Sequence, residues 1–575
     1  MGAIDVALGW RHARGSTRDF DEGGESRGCL GTSRSRATRS IHSGVTLGDE
    51  MAPHSRRDRS SSLARRRLSR PVLLLFLCSL LSCFAAVSPL AGDLDYDRDR
   101  GMFAEGFDDI SRHYIRRVDL RDLVADGLVA LGQIDQGLTA RRNTDRLDLM
   151  YHGQTSADFP LSGQLGPEDL AALVAKALAT ARQVSPALKA AGSELLYAAM
   201  FTGMLDRLDP PYSRYVGRMD AAQDRATRQG YAGIGVHIAM DDGGARITSV
   251  IPDTPAEQIG LRADEVIVAI DGTATSGLDQ GTVVCMLRGV VGSKVTLTVR
   301  PSGNAVMTIV VTRGNVAPQT VQYEREGEIA YLRIFQFGEG TADSVRHGVE
   351  DALGGGARGV VLDLRDNPGG LLDQGVAVAD LFINSGRILS IRGRDPKDDE
   401  IFDATAGDIA RGLPVAVLIN AGTASAAEIL AAALQDNRRA VIVGSNSFGK
   451  GTVQGVHRMP NDGELILTIA RFYAPSGYSL QHLGVLPTIC TSRASEDATT
   501  LLSELEDGRL PRLPIEVRNR VSPDDGARLE QLKAQCPASH ASNAVDLDVA
   551  TRLLSQPASL AKAIALADSG TKVAQ

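Results

Sequence analysis

Apolar runs of strand length alternate with helix-like stretches between residues 329 and 444, and this alternation constrains the fold more than any other feature of the sequence. We expect strands at 329–335, 359–364, 414–420 and 440–444, and helices at 342–353, 374–383 and 424–434. Strands that are joined by crossover helices form a parallel sheet with helices packed on its faces. Residues 315–494 are therefore predicted to form an α/β core.

One serine of this core falls at a turn from strand to helix. Ser425 follows the apolar run 414–419 and lies at the start of the Ala/Leu-rich stretch 424–434. Backbone N–H groups and the helix dipole at such a position favour negative charge, which a tetrahedral acyl intermediate carries on its oxyanion. The position suits a nucleophile, although a lone serine before a helix is usually only an N-cap.

A candidate base follows the serine in the chain. Lys450 lies between two glycines, Gly449 and Gly451. Lysine replaces histidine as the base of some serine nucleophiles, provided that it is neutral. Because a free lysine has a pKa of about 10.4, burial or a nearby positive charge must lower the pKa of Lys450. Taken alone, a Gly-Lys-Gly sequence more often marks a turn.

Three motifs together resemble those of the C-terminal processing peptidases, also called tail-specific proteases. They read Leu364-Arg-Asp-Asn-Pro-Gly-Gly370, Thr423-Ala-Ser-Ala-Ala-Glu428 and Phe448-Gly-Lys-Gly-Thr-Val-Gln454. The resemblance implies that Ser425 is the nucleophile, that Lys450 is the general base and that Gln454 orients the lysine.

The same resemblance implies an oxyanion hole and a fold. The oxyanion would be held by the backbone N–H of Ala426 and by one N–H from the turn of Gly369 and Gly370. The core would be the spiral α/β type, crotonase-like or ClpP-like, with an inserted PDZ domain and an α-helical N-terminal region. The implied function is a serine endopeptidase that cleaves proteins near their C-termini.

Strands and turns follow one another before the core. Strands are expected at 235–240, 246–250, 266–270, 295–300 and 307–312, and helices at 255–259 and 280–287. Tyr231-Ala-Gly-Ile-Gly-Val236, Pro255-Ala-Glu-Gln-Ile-Gly-Leu261 and Ile270-Asp-Gly272 resemble a PDZ domain. In that fold a turn, here Gly233, Ile234, Gly235 and Val236, offers backbone N–H groups to the carboxylate of a peptide C-terminus. The alternative is that these glycines only make hairpins.

Other functions compete with the peptidase. Gly444 to Lys450 fits the first seven places of the phosphate loop G-x-x-x-x-G-K-[ST]. However, the eighth residue, Gly451, lacks the hydroxyl that binds magnesium. In addition, Asn461-Asp-Gly463 predicts a hairpin after this loop, whereas a phosphate loop opens a helix. An inactive PDZ scaffold and a crotonase-like acyl-transfer enzyme remain as alternatives. The ten histidines are scattered without H-E-x-x-H, so we expect no catalytic metal and no cofactor.

The N-terminal segments predict export. Residues 1–50 are polar and are expected to be disordered or untranslated. Residues 51–91 join an Arg-rich stretch to the apolar run 72–87 and to small residues, which is typical of a signal peptide or an uncleaved anchor. Leu80-Leu-Ser-Cys83 weakly resembles a lipoprotein box. These features predict the periplasm or cell envelope, with membrane contact only through the signal, anchor or a lipid.

The remaining regions are described by composition. The net charge of the whole chain is −8, and because residues 1–91 are basic the remainder is more acidic, which argues against nucleic acid as a partner. The sequence leaves open whether the protein binds an adaptor protein or forms a homo-oligomer. Cys285, Cys490 and Cys536 follow the signal, and the last two are a candidate pair that the sequence does not decide.

The sequence divides into a leader (1–50), a signal or anchor (51–91), a helical N-terminal domain (92–220), a PDZ domain (221–314), the peptidase core (315–494) and a partly helical extension (495–575). Within the helical domain, residues 136–165 are polar and are expected to be an irregular insertion. In the extension, helices are expected at 522–535, with Ser522-Pro523 as N-cap and first residue, and at 546–566.

Overall fold

A computed structural model describes residues 91–209, 211–301, 305–405, 407–493, 497–512, 515–541 and 544–567. Their residues from 95 onward belong to one unit; of a second unit, residues 17–94, only 91–94 are described, as the first turn of a helix. The predicted leader and nearly all of the predicted signal or anchor lie outside the described residues. Among the described helices, none has the length and apolar character needed to cross a bilayer.

The N-terminal region combines helices with a small sheet. Its elements are α1 (Ala91–His113), α2 (Leu120–Ala130), β1 (Leu138–Arg142), β2 (Arg146–Tyr151), β3 (Gln154–Pro160), α3 (Pro167–Val184), α4 (Pro186–Ala190), α5 (Ser193–Leu205), β4 (Arg214–Val216) and α6 (Arg218–Gln229), with a 3₁₀ turn at Leu131–Gln133. The expectation that residues 136–165 are irregular is wrong, because they form the antiparallel sheet β1–β2–β3. Leu147 and Leu149 alternate with polar residues and are fully buried, so a period of two was present within a largely polar stretch.

The predicted PDZ region is an antiparallel sheet with two short helices. Its elements are β5 (Tyr231–Gly233), β6 (Val236–Asp241), β7 (Gly244–Val250), α7 (Pro255–Gln258), β8 (Val266–Ile270), β9 (Thr273–Ala274), α8 (Gln280–Leu287), β10 (Lys294–Arg300), β11 (Met307–Thr312) and β12 (Gly314–Val316). The main sheet has the order β11–β10–β8–β7–β6, and β12 pairs with β5. Each strand and helix predicted here from the sequence is present.

The core contains the alternating strands and helices that were predicted. Its elements are β13 (Val321–Glu326), β14 (Ile329–Ile334), α9 (Thr341–Gly354), β15 (Gly359–Asp363), α10 (Leu372–Asp380), β16 (Arg387–Arg392), a 3₁₀ turn (Pro396–Asp398), β17 (Glu400–Asp403), β18 (Val415–Ile419), α11 (Ala426–Asp436), β19 (Val441–Gly444), β20 (Thr452–Arg458), β21 (Glu464–Tyr473) and β22 (Ile489–Cys490). The sheet order is β13–β14–β15–β18–β19–β22, parallel from β14 onward. The predicted α/β core is confirmed.

A second, antiparallel sheet has the order β17–β16–β21–β20, and β4 of the N-terminal region pairs with β21. The hairpin of β20 and β21 confirms the turn predicted at residues 461–463. Because Lys450 leads into a strand, its loop does not open a helix as a phosphate loop would. The strands β16 and β17 were not predicted.

The C-terminal extension is packed on the core sheet. Its helices are α12 (Ala498–Glu506), α13 (Ile515–Arg518), α14 (Gly526–Lys533), α15 (Ala544–Leu554) and α16 (Pro557–Leu566). Val549 and Leu553 of α15 belong to one buried cluster with Val361 and Leu418 of the sheet. The sulfurs of Cys490 and Cys536 form a disulfide with their Cα atoms 5.7 Å apart, which ties β22 to the segment after α14.

Two expectations for the extension are wrong. The N-cap of α14 is Asp525, whose side chain accepts from Arg528 N, so Ser522 and Pro523 precede the helix. The helix expected at 546–566 is two helices, because Pro557 has no N–H to continue the first one and instead opens the second.

Candidate active site

Ser425 sits on a strained turn between β18 and α11. All five residues of β18 are buried, and the chain then turns within 420–424 before α11 begins at Ala426. Ser425 has φ 56° and ψ −120°, whereas an ordinary N-cap residue is extended. A non-glycine residue keeps such a backbone only if its surroundings hold it there. The backbone conformation of Ser425 therefore differs from that of an ordinary N-cap residue.

Hydrogen bonds to the neighbouring loop hold this turn. The Thr423 hydroxyl donates to Leu364 O at 2.8 Å and accepts from Asn420 N at 3.0 Å. Ala424 N donates to Asn367 O at 2.9 Å. The serine turn and the loop after β15 thus form one hydrogen-bonded unit.

Two glycines of that loop leave no room for a side chain. A Cβ on Gly369, which has φ 96°, would lie 2.7 Å from Ser425 Cβ and 3.0 Å from Ala426 N, and a Cβ on Gly370 would lie 2.1 Å from Phe337 O. Only glycine permits this close approach. The structure therefore places Gly369 against Ser425 and Ala426, and Gly370, the next residue, against Phe337.

The amides of this turn are not equivalent. Gly369 N already donates to Asn367 Oδ1 at 2.9 Å, and Asn367 Nδ2 donates to Ile334 O at 2.8 Å. The N–H groups of Gly370 and Ala426 have no acceptor among the described residues. These two amides are the ones available to a developing oxyanion.

A buried carboxyl joins the serine turn to the lysine loop. Glu428, with no exposed surface, accepts from the backbone N–H of Ser425 at 2.8 Å, of Gly449 at 2.7 Å and of Lys450 at 2.9 Å, and from the Ser447 hydroxyl at 2.6 Å. Its Oε2 receives both the Ser425 and the Lys450 amides. Burial raises the pKa of Glu428 to about 7, against the opposing effect of these hydrogen bonds.

Glu428 lies within the motif of residues 423–428, but no role was predicted for it from the sequence. The signal was a glutamate three positions after Ser425, the capping-box spacing, within an otherwise apolar helix. That spacing explains its bond to Ser425 N but not its bonds to the lysine loop, which only the tertiary fold creates.

The environment of Lys450 favours the neutral form of its side chain. Its side chain is half-buried, and its Nζ lies 5.6 Å from the centre of the Tyr212 ring. Desolvation lowers the pKa of Lys450, and the positive charge of Arg214 lowers it further, while Glu428 acts in the opposite direction. Within the described part of the chain, no hydrogen bond joins Lys450 Nζ to Ser425 Oγ.

Other predicted residues lie nearby but make different contacts. Gln454 Nε2 donates to Thr452 Oγ1 at 2.8 Å, so its side chain bonds to its own strand rather than to Lys450. In the PDZ loop, Ile234 is buried, and Gly235 has φ 87° and no room for a Cβ beside Thr254. The turn of Gly233 to Val236 is therefore tightly packed, and its backbone requires glycine at position 235.

Comparisons with known proteins agree with the motifs. Residues 328–491 match peptidase family S41, and residues 246–301 match a PDZ domain family. A carboxy-terminal-processing protease of Bartonella bacilliformis is 42% identical over 293 residues, which are 50% of this chain and 67% of that protein. The carboxy-terminal processing protease CtpA of Bacillus subtilis is 31% identical over 290 residues, which are 50% of this chain and 62% of that protein.

Among solved structures, the photosystem II D1 C-terminal processing protease is 30% identical, covers 51% of this chain and 81% of its own, and has a TM-score of 0.31. The PDZ domain of a carboxy-terminal protease from Vibrio cholerae is 26% identical over 15% of this chain and 96% of its own, with a TM-score of 0.14. From the family matches and the Bartonella relative, the chain belongs to the carboxy-terminal processing proteases of peptidase family S41, and it carries a PDZ domain.

Proposed function

We propose that this protein is a serine endopeptidase that cleaves other proteins near their C-termini, with Ser425 as nucleophile and Lys450 as general base. The observation that carries the proposal is the carboxyl of Glu428, which binds the amides of both residues and so holds a strained serine turn beside a partly desolvated lysine. A pair held in this way has no evident purpose in a scaffold that only binds peptides.

The chemical steps follow from the groups present. Neutral Lys450 accepts the proton of Ser425 as Oγ attacks the scissile carbonyl, and the tetrahedral intermediate places its oxyanion on the N–H groups of Ala426 and Gly370. The lysine then gives the proton to the leaving amine, and water hydrolyses the acyl-enzyme with Lys450 again as base.

A side-chain movement precedes this chemistry. Lys450 Nζ makes no hydrogen bond with Ser425 Oγ in the described structure, where it lies 5.6 Å from the centre of the Tyr212 ring, so it has to approach Oγ before it takes the proton. Gln454 is the residue that we propose to hold the lysine in that second position, which requires it to leave Thr452. Apo geometries of catalytic groups are often looser than those with substrate bound.

The PDZ domain supplies the recognition of the substrate. Its turn of Gly233 to Val236 would hold the terminal carboxylate, with the peptide added as a strand beside β6. The proposal includes the domain boundaries predicted from the sequence and a core of the spiral α/β type. It leaves open whether the protein binds an adaptor or forms a homo-oligomer.

The cell envelope is the proposed location. Disulfides persist in oxidising compartments and are rare in the cytosol, so the Cys490–Cys536 bond supports export, as does the predicted signal at 51–91.

The test uses unstructured polypeptides that differ only at the C-terminus, which is apolar, charged or amidated, and mass spectrometry of the products. We expect cleavage near free apolar ends, and a loss of at least about a thousandfold in Ser425→Ala. Ser503→Ala, an exposed serine on α12, is the control and should keep full activity. Equal cleavage by wild type and Ser425→Ala would refute the nucleophile, and equal cleavage of free and amidated ends would refute C-terminal recognition.

A further inference from the structure

A cluster of one carboxyl and two imidazoles joins α1 to β20, and the proposed peptidase chemistry does not use it. Asp109 and His113 lie one helical turn apart on α1, and His457 faces them from β20. His457 follows Lys450 by seven residues, which is about 20 Å along an extended strand. The cluster is therefore separate from the serine site.

The donor atoms have the spacing of ligands around one metal ion. His457 Nδ1 lies 3.2 Å and His113 Nε2 lies 4.0 Å from Asp109 Oδ1, and the ligand atoms of all three lie within 4.8 Å of one another. A zinc ion with bonds of about 2.0 Å at tetrahedral angles sets its donors roughly 3.3 Å apart. The His457–Asp109 pair already has this separation, and the His113–Asp109 pair exceeds it by less than about 1 Å. The third pair, His113 and His457, lies within 4.8 Å and exceeds it by at most about 1.5 Å.

Two buried polar atoms of the cluster lack partners. Asp109 is only 8% exposed, yet its Oδ2 has no hydrogen-bond partner among the described residues, and neither has the buried Nε2 of His457. Leaving a carboxylate oxygen and an imidazole nitrogen buried without partners is unfavourable. A cation bound by both oxygens of the Asp109 carboxylate would remove that cost for Oδ2.

The surroundings favour a cation. Glu105 lies one turn before Asp109 on α1, and Asp108 adds a further acid, which Arg112 pairs at 2.9 Å. Beside His457 there is space because residue 455 is glycine; a Cβ there would lie 2.9 Å from Nε2.

We propose that Asp109, His113 and His457 bind a divalent zinc ion that fastens α1 to β20. Two imidazoles with one carboxylate suit zinc better than magnesium or calcium, which prefer oxygen ligands alone. Glu105 or a water molecule takes the fourth position. Because β20 directly follows the loop of Lys450, the ion would steady the strand on which that loop is anchored.

The first experiment titrates the metal-free full chain with ZnCl₂ in a calorimeter and follows thermal unfolding with and without Zn²⁺. We expect about one Zn²⁺ per chain and a rise in the unfolding temperature on binding. Asp109→Asn and His457→Gln should weaken binding by at least about tenfold and abolish the rise. The matched control His347→Gln changes an exposed histidine on α9 and should bind as wild type does.

A second variant separates ligation from folding. His113→Gln should lose the metal, whereas His113→Cys should retain it, because a thiolate is also a zinc ligand. Co²⁺ in the wild type should give the visible absorption of a tetrahedral site, with a sulfur-to-metal charge-transfer band added in His113→Cys. Unchanged Zn²⁺ affinity in Asp109→Asn and His457→Gln, or equal stabilisation by Mg²⁺, would overturn the proposal.

Discussion

As the proposed general base, Lys450 has to lose its charge before it can accept a proton, so on this proposal its surroundings set the pH at which the enzyme works. Burial and the charge of Arg214 both lower the pKa of Lys450. Since the neutral form is the active one, kcat/KM should rise with pH and level off above the pKa of Lys450, at lower pH than an ordinary lysine would give.

Two variants test this at the same residue. Lys450→Arg should lose at least about a thousandfold in kcat/KM, because a guanidinium does not deprotonate in this range. Arg214→Gln removes a charge that favours neutral Lys450, so the rise should move to higher pH while the plateau is kept. Arg358→Gln, an exposed arginine that pairs with Glu328, is the control for the charge change. A profile that is the same in wild type and Arg214→Gln would contradict the role of Arg214, and an active Lys450→Arg would exclude Lys450 as the base.

For single residues, the sequence predicted where the site residues lie better than it predicted their hydrogen-bond partners. It placed Ser425 at a strand-to-helix turn, which the structure confirms. The partners of Glu428 are backbone amides of a loop that lies about 20 residues away in the chain, and backbone amides leave no mark in a sequence. The bond from Gln454 to Thr452 is equally invisible, because it depends on which rotamer the strand permits.

At the scale of elements, Glu428 connects two loops, the one between β18 and α11 and the one between β19 and β20. Its pKa in the folded protein is about 7, compared with an ordinary value near 4.5. The folded state therefore holds a proton that the unfolded state has lost between these values, and the contribution of this group to stability falls as pH rises from about 4.5 to 7.

Glu428→Gln tests the connection. Wild type should lose about 3 kcal/mol of unfolding free energy from this group across that range, a loss that the variant does not show. Since an amide has only one acceptor oxygen for four donors, the variant should also be less stable at low pH by about 2 kcal/mol and less active. Urea unfolding at several pH values measures both effects, with Gln531→Glu on α14 as a surface control. Parallel stability curves for the two proteins would contradict the raised pKa.

Element types were predictable where the hydrophobic period was clear. The four core strands predicted from apolar runs, β14, β15, β18 and β19, lie within one residue of their predicted bounds. Strands β1 to β3 were missed since only Leu147 and Leu149 carry the period among polar neighbours. The N-cap of α14 was misplaced because both Ser522 and Asp525 are good caps, and only tertiary packing chooses between them.

For the whole molecule, the disulfide decides how firmly the extension is held. Cys490 and Cys536 close a loop of 46 positions, and a loop of that length stabilises a folded protein by about 4 kcal/mol through the entropy of the unfolded chain. The double variant Cys490→Ala/Cys536→Ala should be less stable by about 3 to 4 kcal/mol in urea unfolding.

The single variants Cys490→Ala and Cys536→Ala serve as controls and should each lose most of that stability, since either change breaks the bond. If the double variant unfolds at the same urea concentration as wild type, the bond does not form in the protein. From the sequence this pair was only a candidate, because its geometry depends on how α14 meets the sheet.

The burial of α15 couples the C-terminal extension to the serine turn. Here Val549 and Leu553 are part of the same buried cluster as Val361 and Leu418, in the sheet whose strand β18 leads to Ser425. Displacing α15 would expose this apolar face of the sheet to water, which is unfavourable. Loss of the extension would thus weaken the strand from which the serine turn starts.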